Sequence, residues 1–243
     1  MFGKKPITLK FYTADKDAYA YAKPNFGNKF MPNWWKKLEA PDSETETVAN
    51  IKFCVGMTSY YKRGIIIPMW CDLTVDVSPE KELNYMFYDE RSKMEFHSIA
   101  QRGSFADPDN FIHGKIRSAW NIVCDEDVEF HFNTPIWSFQ NPNKFRTLPA
   151  VINYKHQFNT HINLLFDVPT GESQRVFIHK DTPIAIIHPL SERKVKIEHY
   201  LITEDEFKTK FPRYNTATLM YHKRKKLMEE QESKCPFGFG GNK

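Results

Sequence analysis

The sequence predicts a mainly β protein, an all-β core built as a β-sandwich or jelly-roll-like barrel, with arms at both ends. Three observations carry that expectation. The stretch from Leu148 to Leu190 reads as consecutive strands, LPAVINY, HINLLFDV and RVFIHKDTPIAIIHPL, with Pro183 opening and Pro189 closing the last apolar run. The run GIIIPMWCDLTVDV alternates with period two: Ile65, Ile67, Met69, Cys71, Leu73, Val75 and Val77 share one face, and Asp72, Thr74 and Asp76 the other. The composition, with 20 Phe, 11 Tyr and 5 Trp against 10 Gly, suits strands filled by large rings better than a Gly-rich phosphate-binding α/β fold.

Taken in order, Ile7 to Tyr12 alternates as a short strand. The segment after Tyr19 mixes helix and loop, and Pro32 starts a short helix that carries Trp34, Trp35, Lys36 and Lys37. Glu39 to Thr47 is acidic and polar, as an exposed loop is. Ile51 to Val55 is expected as a strand that turns at Lys62-Arg63-Gly64 into the long strand ending at Val77. Leu83 to Tyr88 and Met94 to Ile99 are expected to pair as a hairpin across Asp89-Glu90-Arg91-Ser92. Strands follow at Phe111 to Ser118, Trp120 to Cys124 and Val128 to Phe132. Val176 to His188 looks like one hairpin around His179-Lys180-Asp181, and Lys194 to Ile202 alternates again.

Thr203-Glu204-Asp205-Glu206 spells a capping box for a helix from Glu204 to Phe211. Thr216 to Lys234 lacks Gly and Pro and forms a second helix around Lys223, Arg224, Lys225 and Lys226. A flexible aromatic tail with Phe237 and Phe239 ends the chain. The resulting division is an N-terminal arm over 1–50, a β-rich core over 51–202, and C-terminal helices and tail over 203–243.

A chain of 243 residues with 41% hydrophobic content buries a full core. Its formal charge of +4 is too mild to name a nucleic acid as partner. No apolar run approaches membrane-helix length, and no signal-like apolar region follows Met1 to Lys5, so a soluble protein without a standard export signal is expected. The cysteines, Cys54, Cys71, Cys124 and Cys235, stand apart from one another, with no C-x-x-C and no zinc-finger spacing, which fits a reducing compartment.

His179 and Asp181 form an H-x-D triplet, two legs of the facial triad of non-haem iron oxygenases, for which His188, His199 or His222 would have to supply the third. Asp181 also falls where a turn residue is expected, and the turn is the preferred reading. G-x-S-x-G, P-loop and G-x-G-x-x-G motifs are absent. Trp34 to Lys37 offers either a base-stacking platform or, as preferred, aromatics that lock the arm onto the sheet. Lys223 to Lys226 reads as a solvated helix face, and the following Glu229, Glu230 and Glu232 count against a nucleic-acid contact. No catalytic residue and no cofactor is assigned.

The ordered set FMPNWWKKL, GIIIPMWCDLTVDV, RGSF, TPIAIIHPL and EEQESKCPFGFG resembles a protein family encoded by large tailed bacteriophages, particularly those of marine and cyanobacterial hosts. The resemblance covers nearly the whole chain; it implies a viral origin and brings no activity with it. Locally, LPAVINYKHQFNTHINLLF followed by HKDTPIAIIHPL is similar in layout to the trimeric dUTPase fold, where a turn-borne catalytic Asp precedes a strand. Matched residue by residue, that Asp falls at Asn153, whose amide cannot serve as a base on water, and the Ser-Gly phosphate motif is missing.

Together these imply a non-enzymatic bacteriophage protein, a virion structural component or assembly factor. Its contacts, with further copies of itself or other phage proteins, would run through Trp34 to Lys37, Lys223 to Lys226, Phe237 and Phe239, in the virion or host cytoplasm. The alternatives are a dUTPase-like nucleotide hydrolase, degenerate or active; an iron-dependent oxygenase; or a host-directed binding protein.

Overall fold

A computed structural model describes residues 4–38, 50–96, 107, 109–135, 145–211, 225–226 and 229–230. Among them the strands form four sheets. In the first, β1 (Ile7–Thr13) lies between β8 (Asn121–Cys124), antiparallel, and β15 (Val195–Leu201), parallel. The second runs β11 (Ala150–Asn153), β9 (Glu129–Asn133), β14 (Pro183–Pro189), β3 (Ile65–Pro68) and β2 (Asn25–Phe26). The third orders β13 (Gln174–Ile178), β4 (Leu73–Val77) and β5 (Leu83–Phe87). The fourth orders β10 (Phe145–Thr147), β12 (His161–Asp167), β7 (Phe111–Arg117) and β6 (Met94–Phe96). Short helices α1 (Lys16–Tyr21), α2 (Asn33–Lys37), α3 (Val55–Arg63) and α4 (Glu204–Lys210) decorate them. The architecture is mainly β and sandwich-like, and among the described residues the sheets do not close into a barrel.

All four sheets contribute to one core. Ile7, Leu9 and Phe11 of β1 share it with Ile65, Ile67, Ala185 and Ile187 of the second sheet, Leu73, Val75, Val176 and Ile178 of the third, and Ile116, Ile162, Leu164 and Phe166 of the fourth. Ile7–Thr13, placed by sequence in an N-terminal arm, is thus the centre of a sheet. Its strict alternation of buried and half-buried residues is what a strand with one covered face requires.

The middle of the second sheet, β3 and β14, is covered on both faces, which explains the uninterrupted apolar runs there. Ile65 and Ile67 point into the main core; Ile66 and Ile186 point the other way, into a smaller cluster with Trp35 and Tyr61. That second cluster corrects one expectation. Ile51 to Val55 is not a strand: Asn50 caps a 3-10 turn by accepting from Lys52 N–H at 3.0 Å, and the chain enters α3 at Val55. Met57, Tyr60 and Tyr61, three and four residues apart, share the helix face that covers Ile66 and Ile186. The approach is close enough to require glycine. A Cβ on Gly64 would lie 2.5 Å from Ile186 Cδ1, and one on Gly27 would lie 2.8 Å from Tyr61 Cδ1.

GIIIPMWCDLTVDV is likewise not one strand. β3 and β4 belong to different sheets, and β14 and β13 follow them antiparallel around the same corner. Val176 to His188 is therefore the partner ribbon of residues 65–77 rather than a hairpin closed on itself. The two chains bend together: Met69 N–H donates to Thr182 O and Asp181 N–H to Met69 O, both at 2.8 Å, while Lys180 N–H donates to Asp72 Oδ1 at 2.7 Å. Asp181 takes a left-handed conformation there, with φ of +67°, which short polar side chains tolerate best after glycine.

The expected pairing of 83–88 with 94–99 is also corrected. β5 pairs with β4 and β6 with β7. The tighter turn wins: Ser78 N–H donates to Glu82 O at 2.9 Å and Lys81 N–H to Ser78 O at 3.0 Å, so β4 closes on β5. The 89–92 segment instead docks through Ser92, whose Oγ donates to Asp89 Oδ2 and accepts from the Trp70 indole N–H, each at 2.8 Å. The capping box at Thr203 forms as expected, with Glu206 reaching back to the Thr203 N–H at 2.8 Å. Lys225 and Lys226 are helical and exposed; Lys223, Arg224, Phe237 and Phe239 lie outside the described residues.

Candidate interaction surface

The period-two geometry of the third sheet decides which side chains reach the surface. Leu73, Val75, Val77, Val176 and Ile178 are buried beneath it. Facing outward, Phe177, Thr74 and Met86 stand in register across β13, β4 and β5, and the next row is Arg175, Asp76 and Asn84. Tyr88 extends the first row, its ring meeting the Phe177 edge at 6.2 Å, and His179 packs on the same ring at 4.3 Å. Beside the corner, the Lys180 ammonium sits 4.3 Å above the Tyr21 ring. Met86, Tyr88 and Tyr21 are 51%, 59% and 67% exposed.

An Arg175–Asp76 pair, with guanidinium Nε and Nη2 at 2.5 and 3.1 Å from the two carboxylate oxygens, flanks this apolar row. Exposed rings and a methionine beside paired charge have the anatomy of a protein contact, an apolar centre with a polar rim. The surface is not among the expectations drawn from the sequence, although LNYMFY is apolar on both strand faces, a pattern a one-sided strand does not need.

The residues singled out by sequence do not converge. His179 Nδ1 is 4.0 Å from Asp72, on a largely exposed side chain, and Asp181 sits in the corner turn, its backbone N–H bonded to Met69 O. His199 lies in β15, where its Nε2 donates to Pro24 O at 2.8 Å and its ring stacks on Phe11. Among the described residues no three His, Cys, Asp or Glu side chains gather to hold a metal ion. Trp35 is buried with Tyr61, Ile66 and Ile186 and is core rather than surface; Trp34 meets it edge to face at 5.7 Å, and Lys36 and Lys37 are exposed. Asn153 is buried and committed: its Nδ2 donates to Asp127 Oδ1 at 2.5 Å and its Oδ1 accepts from Lys155 N–H at 3.0 Å. Cys54, Cys71 and Cys124 carry free thiols, and burial pushes that of Cys71 up to about 11, so it stays protonated at neutral pH.

His188, whose Nε2 donates to Tyr60 O at 2.8 Å, and His199 both have their pKa lowered by burial. A histidine held neutral in the fold binds its proton more readily when unfolded. Its stabilising contribution is complete above the unfolded value near 6.5 and is lost as pH falls through the range below it. Urea midpoints measured from pH 7.5 to 5.5 should therefore fall, and the fall should be shallower in His188→Gln, which keeps a donor for Tyr60 O and cannot titrate. An identical slope in parent and variant would assign the effect elsewhere.

The chain matches no protein-family model and no curated protein. Among the described residues no helix is long and apolar enough to cross a membrane.

Proposed function

We propose that the protein is a non-enzymatic bacteriophage protein, a virion component or assembly factor, that works by holding neighbouring protein subunits. The observation that carries this reading is the outward row of Phe177, Met86 and Tyr88, flanked by the Arg175–Asp76 pair. Apolar side chains of this size gain nothing by facing water, whereas removing them from water against a partner is favourable, by roughly 25 cal/mol per Å² of apolar area before the costs of association. The phage-family resemblance of the sequence supports the viral setting. The dUTPase-like alternative is weakened by Asn153, whose amide is used up in holding Asp127 and the following turn.

Mass spectrometry of purified virions, set against infected-cell lysate, tests the assembly role, and a Met86→Ser/Tyr88→Ser variant tests the surface. Both positions are exposed, so the unfolding midpoint should not move, while self-association or incorporation into particles should weaken at least 10-fold, as truncation of central interface residues does. A protein abundant in cells yet absent from particles and their assembly intermediates, or a variant incorporated as well as its parent, overturns the proposal.

A further inference from the structure

A cleft of about 360 Å³ opens where the end of α3 meets the segment leading into β15. Four cationic side chains line it, Lys62, Arg63, Arg193 and Lys194, against a single carboxylate, Glu192. Its walls are completed by Phe26, Pro189 and Val195.

The two arginines are held in place. Arg193 is clamped by Glu126, with Nη1 and Nη2 at 2.5 and 3.0 Å from the carboxylate oxygens, and its Nε donates to Lys5 O at 2.7 Å. The Arg63 guanidinium donates to Ser191 O, a neutral carbonyl that leaves its charge uncompensated. Lys62 and Lys194 have no ion-pair partner among the described residues. One arginine is thus neutralised and structural, and three cations remain to act on whatever enters.

α3 ends at this cleft, and a helix C-terminus by itself would repel an anion. Here the Tyr60 carbonyl is taken twice, by Gly64 N–H at 2.9 Å and by His188 Nε2 at 2.8 Å, so one of the terminal carbonyls is already engaged. Convergent cations in a concavity attract anions and recognise phosphate in particular, through charge-assisted hydrogen bonds. The volume lies at the low end of the ~300–1,000 Å³ that small-molecule sites occupy, and the Phe26, Pro189 and Val195 walls suit an apolar or planar body.

From this geometry we infer that the cleft binds a small phosphate-bearing molecule with an apolar or planar body, of the nucleoside phosphate class. Lys62, Arg63 and Lys194 hold the phosphates and Phe26 packs on the body. None of these residues belongs to the apolar row on the third sheet, so this site stands or falls separately from the assembly role.

Calorimetric titration of the full chain at low salt with adenosine triphosphate, inorganic pyrophosphate and adenosine tests the site. Both phosphates should bind, the triphosphate more tightly, and adenosine should not; a Lys62→Gln/Lys194→Gln variant should lose at least 10-fold in affinity with an unchanged unfolding midpoint. No binding of either phosphate at millimolar concentration, or full affinity in the double variant, overturns the inference. A single-stranded oligonucleotide that displaces the triphosphate and binds more tightly with length would also overturn it, in favour of a nucleic-acid track.

Discussion

Trp120→Ala should lower the unfolding free energy by about 3–5 kcal/mol, the cost of emptying a large aromatic site in a core that closes only partly. The side chain is fully buried, and its indole N–H donates to Ala22 O at 2.9 Å. Around it lie Phe11 at 6.4 Å, Tyr19 at 6.3 Å and His199 at 5.5 Å, so one residue touches β1, α1 and β15. Truncation removes that packing and also strands the Ala22 carbonyl without its donor. Trp120→Phe separates the two losses: it keeps most of the volume, forfeits the hydrogen bond, and should cost about 1–2 kcal/mol. Urea unfolding read by circular dichroism checks both. An alanine variant within 1 kcal/mol of the parent would mean, on the scale of such truncations, that this cluster is not what ties the first sheet to its helix.

Asn153→Asp should cost about 2–3 kcal/mol at neutral pH, because it exchanges a donor to a carboxylate for a second carboxylate at a buried position. The Nδ2 to Asp127 bond is lost and a like charge takes its place at hydrogen-bond distance. Protonating either carboxyl restores a donor between them, so the deficit should shrink as pH falls from 7.5 towards 5. The same variant discriminates between functions. It places an aspartate where the dUTPase-like alignment needs its base, and the assembly reading expects no hydrolysis of deoxyuridine triphosphate from it. A stable variant that turns this nucleotide over would revive the enzymatic alternative.

The β content and most strand positions were legible because period-two burial is written locally. HINLLFDV, LPAVINY and TPIAIIHPL each form the strands their alternation or punctuation implies. Pairing was less legible. Within GIIIPMWCDLTVDV only Pro68, where β3 ends, marks a break; the bend from one sheet into another is specified jointly with Asp181 and Thr182, more than a hundred residues later. The strand predicted at Ile51 to Val55 failed because β-branched composition outweighed a weak local signal, the Asn50 cap, and because the face that fixes the helix is set by Ile66 and Ile186. The aromatic row on the third sheet was hidden for the same reason. Met86 comes into line with Phe177, across Thr74, only once β4 lies between their strands.

The parallel pairing of β1 with β15, Ile7 opposite Val195 through Thr13 opposite Leu201, also dictates an order of events at the ribosome. β1 is synthesised long before β15, and the edge of β1 that β8 does not take must wait for the last of the described strands. Each doubling of the intervening loop costs only ~0.6 kcal/mol of closure entropy, so the finished protein is scarcely weakened by the distance. The penalty falls on speed, since long-range pairings dominate the search for the native state. Completion of the first sheet therefore waits for the synthesis of residues 195–201, and until they are made β1 carries an unpaired edge open to chaperones or to other copies of the chain.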